Sequence, residues 1–446
     1  MAKISKYHVA CPDDLQGGWL LFSAATGALL RLDDQEYAGF ERFSRTRDPN
    51  ALPETTQIGL RGAGILIDDE IDEGGMLRAC NHRARFSDKE FILFLVPSLA
   101  CNFGCTYCYQ HKMNLGTLSQ HGADLLHYIR SLCREYQVLR VIYSNGEPLL
   151  QLDWIEQFHP EVLKIAAESG TTVVMGGFIT NGYLLGPRVA ERLQALGIRR
   201  VQITLDGPPH IHDANRPLIS GKPTFAKIIE NLQTAVGVFE SISIRVNVSS
   251  NNVNTLNELL DILAEHGLKQ QVQIYLAPVE SNTSVCANVA DECLDMEAFA
   301  AHAAVFYREA LRRGFWIEQY PHPKSSACMT DYYNSVIVGP DGRFWKCSHE
   351  LGVDEYCIGQ LGRNPTAAEE ARHLVYIQWD PFQDPECLEC PVLPVCVGGC
   401  PYDAMWRGPG SKRCVSWKYN MAEMLPLVAL QQEAIREARA EYASKR

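Results

Sequence analysis

Three cysteines, Cys101, Cys105 and Cys108, fall within eight residues, and eight more lie between Cys328 and Cys414, in a chain that holds sixteen. Thiols grouped this densely must be brought together, and they then need a disulfide, a metal or redox chemistry to account for them. Met1 to Lys6 are not followed by the apolar run of an export signal. The longest apolar stretch, Phe91 to Ala100, is too short to cross a membrane and contains Pro97. A cytoplasmic location with no membrane partner is therefore expected, where thiols stay reduced and clustering points to metal ligation or redox work. Cys11, Cys80, Cys133, Cys286 and Cys293 are scattered and read as small buried hydrophobes. With 41 Lys and Arg against 53 Asp and Glu the net charge is −12, which argues against nucleic acid as a partner.

The 446 residues suffice for several packed units. Residues 1–85 read as a small separate unit: an extended pair around Tyr7 to Ala10 and Trp19 to Ser23, a helix from Asp33 to Phe43, a second short helix, and a strand from Ile65 to Asp68. That order is winged-helix-like. A polar linker, Cys80 to Lys89, is expected next.

Across residues 86–280 buried apolar strands alternate with amphipathic segments, the pattern of βα units on a parallel sheet. Strands are expected at Phe91–Pro97, Leu139–Tyr143, Thr172–Ile179, Arg200–Leu205, Ser241–Val248 and Gln271–Leu276, with helices such as Ala123–Tyr136 and Thr255–His266 between them. The fold class is α/β, a partial (β/α)6 TIM-like barrel or an open sheet, and either places function at the C-terminal strand ends. A helical bridge (281–325), a cysteine-rich unit of loops and hairpins (326–420) and a charged C-terminal helix (421–446, beginning near Tyr419) complete the chain.

Cys101-Asn-Phe-Gly-Cys105-Thr-Tyr107-Cys108 directly follows the first barrel strand. A closed zinc or iron-sulfur site takes four protein ligands, whereas C-x3-C-x2-C supplies three and leaves one iron of a four-iron cluster free. In spacing, in Tyr107 and in placement, this loop resembles that of the radical S-adenosylmethionine superfamily. The resemblance implies that Cys101, Cys105 and Cys108 are the catalytic loop and ligate a 4Fe-4S cluster, whose free iron chelates S-adenosylmethionine. Asn145-Gly146-Glu147-Pro148, after the second strand, resembles the family's Gly-Gly-Glu-Pro, with Asn145 in place of the first glycine, tolerable where φ is positive. Thr180-Asn181-Gly182 and Thr204-Leu205-Asp206-Gly207 close the next two strands, and Arg245 and Asn247 stand on the fifth. The resemblance implies contacts to S-adenosylmethionine from Tyr107, Asn145, Gly146, Glu147, Asn181, Thr204, Asp206 and Asn247. His212-Asp213-Ala214-Asn215-Arg216-Pro217 resembles a stretch of peptide-modifying relatives, where it orders a loop beside the substrate. An Asp213–Arg216 ion pair is the alternative reading.

Cys328, Cys347, Cys387, Cys390, Cys396, Cys400 and Cys414 resemble the SPASM extension of the same superfamily. That implies one auxiliary 4Fe-4S cluster on Cys387, Cys390, Cys396 and Cys414 and another on Cys328, Cys347 and Cys400, with Cys357 available to complete the second. The cofactors implied are thus three 4Fe-4S clusters and S-adenosylmethionine. The reaction implied is generation of a 5′-deoxyadenosyl radical by an oxidoreductase, and oxidative modification, as in cross-linking, of a ribosomally made precursor peptide. The N-terminal unit would hold the peptide's leader by β-augmentation, and an electron donor such as flavodoxin or ferredoxin is required. A sulfatase-maturing enzyme is the alternative, with His349 or Glu350 as base, because the acid expected directly after Cys347 is replaced by Ser348. A zinc-stabilised peptide-binding scaffold is the non-enzymatic one.

Overall fold

The computed structural model describes residues 2–111, 113–406 and 413–444. Met1, the stretch 407–412 of the expected cysteine-rich unit, and the last two residues of the expected C-terminal helix lie outside the described residues.

The N-terminal region forms two small sheets. Strand β1 (Ala2–Ile4) pairs antiparallel with β5 (Leu66–Asp68), while β2 (His8–Pro12), β3 (Trp19–Ser23) and β4 (Leu29–Leu32) form an antiparallel meander. Between β4 and β5 run helices Asp34–Thr46 and Glu54–Gly62. The first begins in a capping box: Asp33 accepts from the Glu36 amide and the Glu36 side chain accepts from that of Asp33. Strands β1 and β4 add to the order of elements expected from the sequence.

The central sheet has ten strands in the order β12-β11-β10-β9-β8-β7-β6-β13-β14-β15. Six are the expected barrel strands, all parallel: β6 (Glu90–Leu95), β7 (Val138–Tyr143), β8 (Thr172–Thr180), β9 (Arg200–Thr204), β10 (Ser241–Val248) and β11 (Gln273–Pro278). Both faces are covered, so Leu93, Leu95, Val141, Tyr143, Ile203, Ile244, Val246 and Ile274 are fully buried. The sheet runs further than the sequence pattern indicated. β12 (Trp316–Ile317) joins β11, and β13 (Ser335–Val338) pairs parallel with β6 before continuing into antiparallel β14 (Arg343–Trp345) and β15 (Gly359–Gln360). The cysteine-bearing C-terminal region is thereby built onto the edge that carries the three-cysteine loop.

Two expectations are corrected. The polar linker from Cys80 is largely helical: Glu73–Arg85 is a helix, N-capped by Asp72 accepting from the Gly75 amide. The final helix, Trp417–Ser444, is not simply charged, because Met421, Met424, Leu425, Leu427 and Val428 in its first half are buried. The N-terminal region has an apolar core of its own around Leu21, Phe40, Phe43, Leu60 and Ile65, and on its other side Tyr7, Cys11, Leu20 and Phe22 share a core with Phe382, Cys387, Leu393, Val395, Met421 and Leu425. Residues 281–314 are helical as expected, in 3-10 turns at Ser284–Glu292 and an α-helix at Met296–Arg312. Among the described residues no helix is long and apolar enough to cross a membrane.

Arg85 ties the two ends of the chain together. Its side chain is 1% exposed and donates to the carbonyls of Asp331 (2.8 Å), Trp379 (2.8 Å), Tyr376 and Ile377 (both 3.1 Å). Arg85→Met keeps the apolar stem but leaves four carbonyls without donors. A loss of about 3 kcal/mol is expected, read as a lower urea midpoint.

Candidate functional site

The three-cysteine loop has little regular structure of its own, so its shape is set by what lies against it. On one side, residues 215–219 run antiparallel to it: the Gly104 amide donates to the Pro217 carbonyl (2.8 Å), Thr106 to Asn215 (3.0 Å), and Ile219 to Asn102 (3.0 Å). The His212–Pro217 stretch therefore orders the cysteine loop. On the other side the tip after β7 closes in. Asn145 adopts φ 66° and Gly146 φ 56°, and a Cβ on Gly146 would stand 2.4 Å from the Ser98 carbonyl oxygen and 2.6 Å from that of Ala100. Only glycine fits there. The Glu147 amide donates to the Ala100 carbonyl (2.9 Å), which fixes the approach.

Glu147 is buried and fully engaged. Its carboxylate accepts from the Thr180 hydroxyl (2.7 Å) and from the amides of Asn181 (2.7 Å) and Leu149 (3.0 Å), which joins the tips of β7 and β8. Burial holds its acidity constant above the ordinary carboxylate value, against the pull of those donors. Asn181 in turn donates to Asn102 Oδ1 (2.7 Å), carrying the order back to the cysteine loop.

A second network sits beneath Tyr107. Its phenol donates to Asp206 Oδ2 and accepts from Arg216 Nη1 (2.7 Å) and Asn247 Nδ2 (3.0 Å). Asp206 is 0% exposed, with its backbone amide donating to His212 Nδ1 (3.2 Å) and its carbonyl accepting from Asn252 (2.6 Å). Asp213 pairs with the amides of Thr224 (2.7 Å) and Phe225 (2.8 Å), not with Arg216. The sequence reading that paired Asp213 with Arg216 is thus replaced: helix capping takes the carboxylate, and Arg216 turns to Tyr107.

These elements enclose a cavity of about 520 Å³. Cys101, Cys105 and Cys108 line it, as do Cys328 and Cys347, so both thiol groups border one space. Of the residues expected to contact a cofactor, Tyr107, Asn145, Gly146, Asn181, Thr204 and Asn247 line it, while Glu147 and Asp206 stand behind it and position the others. Cys400 lies close enough to Cys328 and Cys347 for their charges to interact. Cys387, Cys390, Cys396 and Cys414 line a separate small cavity together. There Gly399, at φ 80°, has no room for a Cβ, which would stand 2.0 Å from the Arg413 carbonyl oxygen; that contact seats the Cys396–Cys400 turn against Cys414.

Cys357 stands apart from both groups. It packs with Val96, Ile337, Trp345 and Leu351, and its thiol donates to the Gly359 carbonyl (3.3 Å), so the structure does not bring it to Cys328 and Cys347. Of the two candidate bases, His349 lines the main cavity between the rings of Tyr109 (4.9 Å) and Tyr402 (5.3 Å). Glu350 is buried away from it, accepting from the Tyr376 hydroxyl and the Cys347 amide. Burial pushes Glu350 up to about 8. Tyr109, Gln110 and Gln202 also line the cavity; only the position of Tyr109 directly after Cys108 could have marked it from sequence.

The donor chemistry fits iron-sulfur clusters. All the cysteines are free thiols, and burial pushes Cys101 and Cys400 up to about 11 and raises Cys105, Cys347 and Cys396. A bound cation is what turns such thiols into thiolates.

Residues 95–263 match the family model of the radical SAM superfamily. The serine-type anaerobic sulfatase-maturating enzyme of Klebsiella aerogenes is 22% identical over 347 residues, covering 72% of this chain and 81% of that one. Among solved structures, anSMEcpe with bound AdoMet has a TM-score of 0.60 at 17% identity, covering 77% of this chain and 95% of the other. Streptococcus suis SuiB bound to precursor peptide SuiA has a TM-score of 0.50 at 14% identity, covering 93% and 98%. The structural likenesses show a shared fold, and the family match is to the radical SAM superfamily over residues 95–263.

Proposed function

We propose that the chain is a radical S-adenosylmethionine enzyme of the SPASM type that oxidatively modifies, by cross-linking, a side chain of a ribosomally made precursor peptide. The observation that carries this reading is the single cavity lined by Cys101, Cys105 and Cys108 and also by Cys328 and Cys347. With 4Fe-4S clusters on those thiols and on Cys387, Cys390, Cys396 and Cys414, the chemistry supplied is reductive cleavage of S-adenosylmethionine to a 5′-deoxyadenosyl radical and removal of an electron from the substrate. The chain's own part is positioning. Glu147 and the 215–219 strap hold the cysteine loop in place, and the Tyr107–Asp206–Arg216–Asn247 network fixes the polar floor of the cavity. Among described cavity-lining groups, Asn145, Asn181 and Thr204 offer hydrogen-bonding partners for a nucleoside and an amino acid. An electron donor such as flavodoxin or ferredoxin supplies the reducing equivalents.

In this reading the leader lies in the cavity of about 710 Å³ beside β1 and β5, lined by Lys3, Lys6, Ile71, Arg78, Phe382 and Leu388. SuiB, with its bound precursor peptide, supports a peptide partner for this fold. A second reading, sulfatase maturation, is favoured by the length of the match to the Klebsiella enzyme. In that case His349, on the cavity wall, is the group placed to face the substrate, since Glu350 points away.

Anaerobic reconstitution followed by chromatography for deoxyadenosine tests the core of the proposal. Cys105→Ala is expected to lower cleavage at least about a thousandfold, as loss of a cluster ligand should. Cys390→Ala is expected to retain peptide-free cleavage while losing modified peptide, read by mass spectrometry of co-expressed candidate precursor peptides. Full turnover in both variants would refute the ligand assignment. Because residues 1–85 share a core with the C-terminal region, deleting them would unfold the protein, so leader binding is better probed by Ile71→Arg. That change is expected to weaken binding of the fluorescently labelled precursor about tenfold, with peptide-free cleavage unchanged.

A further inference from the structure

Lys346 is fully buried, and among the described residues it forms no ion pair. It follows β14 directly and precedes Cys347, and it borders the main cavity together with Cys328 and Cys347. Its amine donates to the Tyr332 carbonyl, to the Ser335 carbonyl (2.8 Å) and to the Ser335 hydroxyl (2.6 Å). That hydroxyl gives its own proton to the carbonyls of Met329 and Tyr332 (3.2 Å), so toward Lys346 it can only accept. Three acceptors therefore take three N–H bonds, the full complement of an ammonium. Burial works against that charge, while Asp331 and Cys328 favour it. An ammonium enclosed in this way, with no carboxylate bonded to it, is costly unless negative charge stands nearby.

All three acceptors lie in the segment that runs from Cys328 into β13. The main-chain carbonyl of Lys346 binds the same segment, accepting from the Thr330 hydroxyl (3.2 Å), and that hydroxyl oxygen lies 3.4 Å from Cys328 Sγ. Two further groups hold the segment at Asp331: Arg85 donates to its carbonyl (2.8 Å) and the Ser326 hydroxyl to its carboxylate. Lys346 thus joins the Cys328 segment to the residue beside Cys347 through both its side chain and its backbone. A neutral amide could serve two of the three acceptors; a full positive charge is called for by anions, and thiolates at Cys328 and Cys347 supply them when a metal cluster is bound. Resting on the reading of Cys328, Cys347 and Cys400 as ligands of an auxiliary 4Fe-4S cluster, we infer that Lys346 is a positioning residue for that cluster. Its ammonium pins the Cys328 segment to Cys347 and sets a fixed positive charge beside the thiolates, which favours gain of an electron there.

The test uses the full chain, reconstituted anaerobically, with Cys101→Ala, Cys105→Ala and Cys108→Ala introduced together so that only auxiliary signals remain in the electron paramagnetic resonance spectrum. Each variant is poised at fixed solution potentials, and iron and sulfide are counted. Lys346→Gln, which keeps hydrogen-bond donors and removes the charge, is expected to lower the reduced-to-oxidised ratio of one signal about tenfold, equivalent to about 59 mV for one electron. The other signal, from Cys387, Cys390, Cys396 and Cys414, is expected to stay within about twofold. Lys346→Arg restores the charge, and Ser335→Ala removes one acceptor and leaves the charge; both are expected to stay within about threefold of the parent ratio. If Lys346→Gln binds only half the auxiliary iron while Lys346→Arg binds all of it, the need for the charge is shown directly. Iron lost in both Lys346 variants would reduce the residue to packing and overturn the assignment. So would a ratio unchanged in Lys346→Gln, a shift of equal size in both signals, or a shift in Ser335→Ala as large as that in Lys346→Gln. A parent protein with no auxiliary signal would instead remove the cluster reading on which the inference rests.

Discussion

The architecture of the site depends on one close backbone approach, between Gly146 at the tip of β7 and the carbonyls of Ser98 and Ala100 at the root of the cysteine loop. Nothing larger than a hydrogen atom fits between them, so the strand tip and the loop cannot separate without breaking the Glu147–Ala100 hydrogen bond. Glu147 then extends the constraint sideways to β8, and Asn181 returns it to Asn102. A closed circuit of short polar contacts thus holds the loop, alongside the burial of Phe103 in the main apolar core. A loop that presents three thiols must hold them in a fixed geometry, and the circuit adds rigidity to that single apolar anchor.

The auxiliary cysteines obey the same logic through different means. β13 and β14 extend the central sheet past β6, so Cys347, two residues beyond the end of β14, is placed relative to the root of the cysteine loop after β6 by a continuous hydrogen-bonded ladder. The cysteine groups therefore sit on one rigid scaffold rather than on units that could drift apart. Arg85 adds a second tie, from the N-terminal helix to the carbonyls around Tyr376.

Much of this was legible in the sequence. Cysteine spacing marked the loop and the auxiliary groups, and runs such as Phe91–Leu95 and Ser241–Val248 identified the buried parallel strands, because full burial leaves a continuous apolar signature. Asn145 announced a positive φ. What stayed hidden had no local signature. β12 and β15 are two residues long, and their existence depends on a neighbour strand rather than on propensity. The helix Glu73–Arg85 carries Gly74, Gly75 and many charges, so its sequence resembles a linker until Arg85 is seen to be buried. The partner of Arg216 could not be found by proximity in sequence, since Tyr107 is over a hundred residues away. Cys357 shows the converse: counting ligands suggested it, while its thiol meets the Gly359 carbonyl and the Glu369 carboxylate beside an apolar cluster.

The shared core of β2 and β3 with residues near Phe382 and Met421 bears on how the polypeptide is made. β2 and β3 are made long before Phe382 and Met421, so the apolar surface of Phe22 and Tyr7 stays uncovered until those distant segments have been synthesised. Cys387 lies in that same core, so its burial waits on a late, long-range closure that joins segments hundreds of residues apart.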